Sequence, residues 1–446
     1  MPSTAHPDAF HFDSPAESYW QASADPLDIA MPPLVGDETC EVAIIGGGYT
    51  GLSAALELRE GFGADVRVLE AAEPGWGASG RNGGFSCIGS HKLAYGKMIA
   101  RYGLDETRAY YACMKETVGL VRENCRRYAI VAWIGEGGEV TLAHKPGRVS
   151  ELAEEQAYLK ATFGDSTELL SRGDLTERGI SGPAFHGGLW NPTGFSIHPL
   201  NYARGLARAA AASGAHIHSR SRVIRWEERD GVHILSTAQG RLRARRVIVA
   251  TNGYTQEDVS VQLRGRIMPA LSNIIVTRPL SETERREQGW TSRLMAFDSR
   301  NLLHYFRLLP DGRFMFGGRG GTDASDGGAE AMKAHMTASL RTMFPVFGRV
   351  EISHFWRGLV CLAYDLVPYV GALDDRKSVW TALAYHGNGV AMASHCGRAV
   401  ARMMMKPDSV ELPPVLTRRL ARFPLAFLRP YYLKGAYLWF HYQDEH

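Results

Sequence analysis

The chain has no run of eighteen consecutive apolar residues, so no membrane-spanning helix is expected. It has no block of five or six like charges, and its formal net charge is only +3 over 446 residues. That balance argues against a nucleic-acid partner. The densest basic stretch, RLRARR from Arg241 to Arg246, is expected to be a solvated strand and turn. Cysteine is scarce: six residues, at 40, 87, 113, 125, 361 and 396. None forms a CxxC pair and no histidine cluster accompanies them, so neither a metal site nor a disulfide framework is expected. Free thiols suit a reducing, cytoplasmic setting. The opening residues MPSTAHPDAFHFDSPAESYW carry neither a basic n-region nor an apolar h-region, and no secretory signal is expected. The aromatic stretch FPLAFLRPYYLKGAYLWFHY near the C-terminus is interrupted by Arg429 and Lys434. It is expected to pack on the protein, without membrane contact.

What the chain has in quantity is glycine, 48 residues. The apolar run EVAII at 41–45 leads straight into GGGYTG, with Gly46, Gly48 and Gly51 in GxGxxG register around Tyr49 and Thr50. LSAALELRE follows with helical periodicity, and DVRVLE then forms a second strand ending in Glu70. This strand–turn–helix–strand context is what a dinucleotide fingerprint requires. Gly46 permits the tight turn, Gly48 lets backbone approach a pyrophosphate, and Gly51 lets the helix pack on the strand. Amides at the helix N-terminus face the phosphates. Glu70, 19 residues beyond Gly51, stands where an acid accepts from ribose hydroxyls and disfavours NADP. The fingerprint alone leaves FAD and NAD open.

Glycine is dense again in GWGASGRNGGF at 75–85, five of eleven residues. Such density means unusual dihedrals or backbone pressed against something. Beyond it, helices are expected near 104–128 and 148–162, then a long helix over HPLNYARGLARAAAASG and a strand. RVIRWEE and HILSTA form a hairpin through RDGV. VIVATNGY is a buried strand with a turn. The pattern from 256 to 356 is β-rich. VWTALAYHGNGVAMASHCGRAVARMM reads as strand, glycine turn and helix. The expected fold is α/β: a Rossmann-like FAD-binding domain with a nested, β-rich α+β substrate domain. The first comprises 38–85, 195–255 and 357–405; the second comprises 86–194 and 256–356. An N-terminal arm covers 1–37 and a C-terminal tail 406–446.

The fingerprint ending in Glu70, GASGRNGG, IHPLNYARGLARAAAASG, VIVATNGY, FMFGG and YHGNGVAMASHCGRAVA together resemble the D-amino-acid oxidase or glycine oxidase type of FAD-dependent oxidoreductase, over about 38–405. SYW at 18–20, ASGRNGGF, IIVTRPL, HYFRLLPDGRFMFGG and FPLAFLR look like its γ-glutamylputrescine oxidoreductase subgroup. The resemblance implies roles residue by residue. Glu70 would hold the adenosine ribose. Ser79, Gly80, Arg81, Asn82, Gly83 and Gly84 would run along the pyrophosphate and flavin edge. Val223 would pair its backbone with the adenine, and Thr251, Asn252 and Gly253 would close over the cofactor. Gly387, Asn388, Gly389 and Val390 would aim amides at the flavin's pyrimidine end. His386 and Tyr305 are candidates for lining the substrate site.

Two departures bear on the substrate. Family members that take α-amino acids often carry an Arg in GLRP; the matching stretch here is GLVC, with Val360 at the Arg position. Sarcosine-oxidase-like members place a Lys after the glycine turn; here Ala391 stands there. Arg307, Arg319 and Arg357 are the candidates for a different clamp, each with a structural alternative. The position of a covalent flavin tether falls on Gly358, not Cys361, so non-covalent FAD is expected. The implied reaction is oxidation of the C–N bond of a small amine by hydride transfer to flavin N5. The imine then hydrolyses to an aldehyde and ammonia, and O2 or another acceptor reoxidises the cofactor. A γ-glutamylputrescine-like amine fits best. A sarcosine-, glycine- or pipecolate-like substrate, or a non-catalytic flavin-binding protein, are the alternatives.

Overall fold

The apolar run at 41–45 becomes the inner half of a ten-residue strand, Gly36–Ile45. In a computed structural model, which describes residues 7–88, 93–135, 137–407 and 410–445, this strand pairs in parallel with Val66–Leu69 on one side and Gly240–Val249 on the other. Val42, Ala43 and Ile44 are buried on both faces, as a parallel strand between helical layers demands. His216–His218 extends one edge; Val379–Leu383 and Tyr369–Ala372 extend the other. The expected hairpin hangs from Gly240–Val249, and its turn residues Asp230 and Gly231 both have positive φ, 51° and 77°. That is the two-residue turn whose twist matches antiparallel strands. In the basic stretch, Arg241, Arg243 and Arg245 face solvent while Leu242 and Ala244 are buried. RLRARR is thus a half-solvated strand.

The helices Tyr49–Phe62, Leu104–Arg127, Pro199–Ala212 and Gly389–Met405 share one hydrophobic core on a face of this sheet. The first and last cross closely: a Cβ on Gly397 would stand 2.2 Å from the Thr50 carbonyl oxygen.

A second eight-stranded sheet runs, in spatial order, Ile352–Ala363, Ile267–Thr277, Phe314–Arg319, His304–Leu308, Met295–Asp298, Glu139–Leu142, Gly188–Asn191 and Glu168–Leu170. Parallel pairing of Met295–Asp298 with Glu139–Leu142 joins the two chain segments that build it. The nested α+β arrangement is as expected. Phe306, Phe314 and Phe316 pack with Trp290, Phe344 and Phe347 on one face, where aromatic burial is large.

Three details differ from the expectation. Ile352–Ala363 pairs throughout with Ile267–Thr277, so a boundary at 357 falls inside a strand of the second sheet. Leu104–Arg127, expected in the substrate domain, buries Val118, Val121 and Cys125 in the core of the first sheet's helices. The β-rich stretch 256–356 also holds an 18-residue helix, Asp326–Met343, which covers the aromatic core with Met336, Leu340 and Met343. The C-terminal stretch forms the helix Arg429–Glu445, anchored where Asp444 accepts from Asn301 N and Leu302 N. Its outer side leaves Tyr431, Leu438 and Tyr442 exposed. Among the described residues no helix is long and apolar enough to cross a membrane.

Candidate active site

The fingerprint turn is built as its glycines require. A Cβ on Gly51 would lie 2.0 Å from the Gly46 carbonyl oxygen, so only glycine lets the helix start this close to the strand. A Cβ on Gly48 would lie 2.8 Å from Ser79 Oγ. That hydroxyl accepts a 3.0 Å hydrogen bond from Tyr49 N, at the helix N-terminus. Glu70 is oriented by two amides: Gly47 N donates to its Oε2 at 2.6 Å and Ala72 N to its Oε1 at 2.9 Å. Burial raises the Glu70 pKa, and the two amides oppose that rise.

From this turn a groove runs past Val223, Thr251 and Asn252 to the turn at Gly387–Val390. Gly46, Gly48, Tyr49, Thr50, Glu70, Ser79, Asn82, His386, Gly387, Gly389 and Val390 line it. It opens into a second chamber, faced by Arg81, Asn82, Gly83, Tyr305, Gly387, Asn388 and Val390. A wide vestibule of about 1180 Å³ lies beyond. Phe297, Leu303, Arg319 and Val360 face both the chamber and the vestibule. The inner side of the C-terminal helix, with Leu433, Tyr437 and Phe440, forms part of the vestibule wall.

The remaining glycines named above stand back and act by packing. Gly80 lies against Gly75 O and Leu200, Gly84 against Ile197 O, and Gly253 against Leu359. Asn82 spends its side chain on the loop: Nδ2 donates to Ala78 O and Ser79 O, and Oδ1 accepts from Gly84 N. Arg81 donates to Trp76 O and Arg357 O and lies 4.1 Å from the Trp76 ring centroid. Asn252 Oδ1 accepts from Ala384 N, tying its turn to the chain before Gly387. His386 adopts φ 54°, uncommon for a residue with a Cβ, and sits in the groove rather than in the vestibule. Tyr305 faces the chamber, and its hydroxyl lies 3.0 Å from Ser272 Oγ. Burial pushes its pKa up to about 12, so it stays a neutral hydroxyl at working pH.

The three candidate arginines separate. Arg357 donates to the carbonyls of Asp323, Ala324 and Ser325. Arg307 donates to Ile197 O, lies over Trp20 and Phe85, and burial lowers its pKa to about 9. Only Arg319 reaches the chambers.

Several lining residues escaped sequence reasoning. Phe12 of the N-terminal arm covers the groove, its ring 4.9 Å from that of Trp76. Ser272 and Phe297 come from the second sheet. No local pattern marks these positions; tertiary packing brings them in.

A carboxylate fixed by amides beside a glycine turn, and two helix N-termini (Tyr49–Phe62 and Gly389–Met405) opening on one long groove, fit a dinucleotide lying extended from ribose to flavin. Fold and site thus define a flavoprotein oxidoreductase. The family model described as FAD dependent oxidoreductase (DAO) matches residues 41–403. The chain belongs to this family and uses FAD. It is 32% identical over 393 residues to gamma-glutamylputrescine oxidoreductase of Escherichia coli (strain K12), covering 87% of this chain and 88% of that protein. It is 31% identical over 404 residues to the probable oxidoreductase OrdL of Haemophilus influenzae, covering 90% of each. Among solved structures, glycine oxidase from Geobacillus kaustophilus superposes with a TM-score of 0.69 at 22% identity, over 86% of this chain and all of that one.

Proposed function

We propose that the enzyme oxidises the terminal amine of a γ-glutamylputrescine-like substrate to an aldehyde. The carrying observation is the vestibule of about 1180 Å³ behind the inner chamber, far more space than glycine or sarcosine needs. Side chains of both signs face it, Glu154 and Glu155 of the helix Gly147–Phe163 together with Lys97 and Arg319, which suits an elongated molecule that carries both an amine and a carboxylate. Val360 and Ala391 leave both usual carboxylate clamps of α-amino-acid enzymes unfilled. The relative from Escherichia coli supports the same reading.

Bound FAD supplies the hydride acceptor for the carbon next to the substrate nitrogen. The protein's part is placement and electrostatics. Glu70 and the Tyr49 helix terminus hold the adenosine half. The turn at Gly387–Val390 directs a helix N-terminus toward the other end, where it stabilises developing negative charge. Tyr305, Phe297 and Leu303 line the chamber in which the reacting carbon would sit, and their apolar surface would limit water there. Tyr305, as a neutral hydroxyl, and His386 are proposed to contact substrate or cofactor. The six cysteines are free thiols, which fits the proposed cytoplasmic setting.

Anaerobic bleaching of the flavin tests this reading. γ-Glutamylputrescine should reduce the cofactor faster than glycine, sarcosine or pipecolate. Faster bleaching by any of those three would refute the substrate assignment.

A further inference from the structure

Where an α-amino-acid enzyme of this family would carry its clamp, this chain has Val360, and Val360 faces all three chambers. The sheet register shows what lies nearby. Ser272 pairs with Gly358 on one side and with Arg319 on the other; Ala270 pairs with Val360. Side chains directly across a sheet share a face, as do residues two apart along a strand. Arg319 therefore shares the face of Val360, two strands away.

Among the described residues, Arg319 is also an arginine of this junction that no ion pair holds. Arg81 donates to backbone carbonyls, Arg300 pairs with Asp298, and Arg148 pairs with Glu151. Arg319 Nη1 is shielded from solvent and has no hydrogen-bond partner among the described residues. Its Nη2 lies 3.1 Å from where a Cβ on Gly387 would stand, which places the guanidinium against the flavin-facing turn. Burial lowers its pKa. A half-buried guanidinium with a shielded, unpaired nitrogen gains when an anion meets it, and its planar fork matches a carboxylate.

We propose that Arg319, which faces both the chamber and the vestibule, is the anchor for a substrate carboxylate. In the proposed substrate this is the γ-glutamyl carboxylate, and that identification rests on the function proposed above. The anchor itself makes a separate claim: the site takes an acid, whichever amine it carries.

Titrating oxidised holoenzyme with glutarate, and separately with the uncharged glutaramide, isolates the charge; perturbation of the flavin's visible bands reports binding. Arg319→Met should weaken glutarate by on the order of 30-fold or more and glutaramide by less than about threefold. Arg319→Lys, which keeps a point charge but loses the fork, should fall between. It also guards against misfolding of the Met variant, with FAD content as the check. In turnover, KM for γ-glutamylputrescine should rise with little change in kcat. Equal glutarate affinity in wild type and both variants overturns the anchor, as does wild type that fails to bind glutarate. Unchanged glutarate affinity with a shifted flavin potential would overturn it too, by assigning the guanidinium to the cofactor. If glutarate binding depends on Arg319 but γ-glutamylputrescine does not bleach the flavin, the anchor stands and the proposed substrate falls. If γ-glutamylputrescine is oxidised with the same KM by wild type and Arg319→Met, the substrate stands and the anchor falls.

Discussion

Ser79 Oγ accepts a 3.0 Å hydrogen bond from the Tyr49 amide, joining the second glycine-rich stretch to the first at the helix N-terminus. The two stretches are therefore one device. The fingerprint supplies the amides, and the loop at 75–85 closes over them with a hydroxyl where a Gly48 side chain would have been. Removing one hydrogen bond of this kind costs about 1 kcal/mol, a factor of roughly five. Ser79→Ala should weaken FAD by about that much. Glu70→Ala should weaken it by more, on the order of 10- to 100-fold, because two buried amides lose their acceptor as well. Titration of apoprotein with FAD, followed by flavin fluorescence, gives both numbers. Ser79→Ala equal to or worse than Glu70→Ala would contradict this ranking.

Glycine at two helical positions should respond oppositely to alanine. At Gly51 the added methyl would meet the backbone oxygen of Gly46 at 2.0 Å, and backbone cannot rotate away. Gly51→Ala should destabilise by about 1–3 kcal/mol or more and lower FAD content. Gly119, within Leu104–Arg127, has nothing within 4 Å of its Cβ position. Gly119→Ala should stabilise by about 0.5–1 kcal/mol, since it removes backbone freedom from the unfolded chain. Denaturant midpoints on the two holoenzymes check the signs; a stabilising Gly51→Ala would mean the fingerprint helix does not sit this close.

Acid should loosen the fold through His198. Its ring is fully buried between Trp20 and Trp133. Nδ1 accepts from Asn201 N, and Nε2 lies 3.2 Å from Ser23 Oγ. Burial, and then the charge of Arg307, lower its pKa from 6.5 to about 3. The folded ring is neutral, so between those two values the unfolded chain binds a proton that the folded chain does not. The stability contribution is complete above pH 6.5 and drains away as pH falls toward 3. From pH 6.5 to 5 the loss is on the order of 2 kcal/mol. His198→Asn keeps an N-cap acceptor without the titration, and its Tm should fall less over that range than that of wild type. Parallel Tm–pH curves would remove His198 as the cause. His144 and His395, both lowered to about 4 by burial, set a shared background in the two proteins.

Legibility followed locality. The fingerprint, Glu70, the loop at 75–85 and the Gly387–Val390 turn were readable because each is a short run whose spacing carries its own geometry. The Asp326–Met343 helix carries little local signal. It begins Asp-Gly-Gly, and its buried residues Met336, Leu340 and Met343 occupy only the second half. Leu104–Arg127 was found as a helix, but its partner core depended on packing between distant segments. Arg319 was visible only as one of three arginines, and sheet register together with the partners of the other two set it apart. Phe12 reaches the groove through a tilted ring contact with Trp76, which no periodicity encodes.

The cofactor should leave the protein on acid precipitation. The position where a tethering sulfur would stand is Gly358, which has no side chain to form a thioether. Cys361, three residues on, lines the groove but is 1% exposed, and burial pushes its thiol pKa up to about 12. A thiol held that far from thiolate is a poor nucleophile toward any ring carbon. Precipitated protein should therefore be colourless, with FAD recovered in the supernatant, and Cys361→Ser should retain the wild-type FAD content. A yellow pellet that turns colourless in Cys361→Ser would show that this cysteine becomes reactive once the cofactor is seated, and non-covalent binding would have to be abandoned.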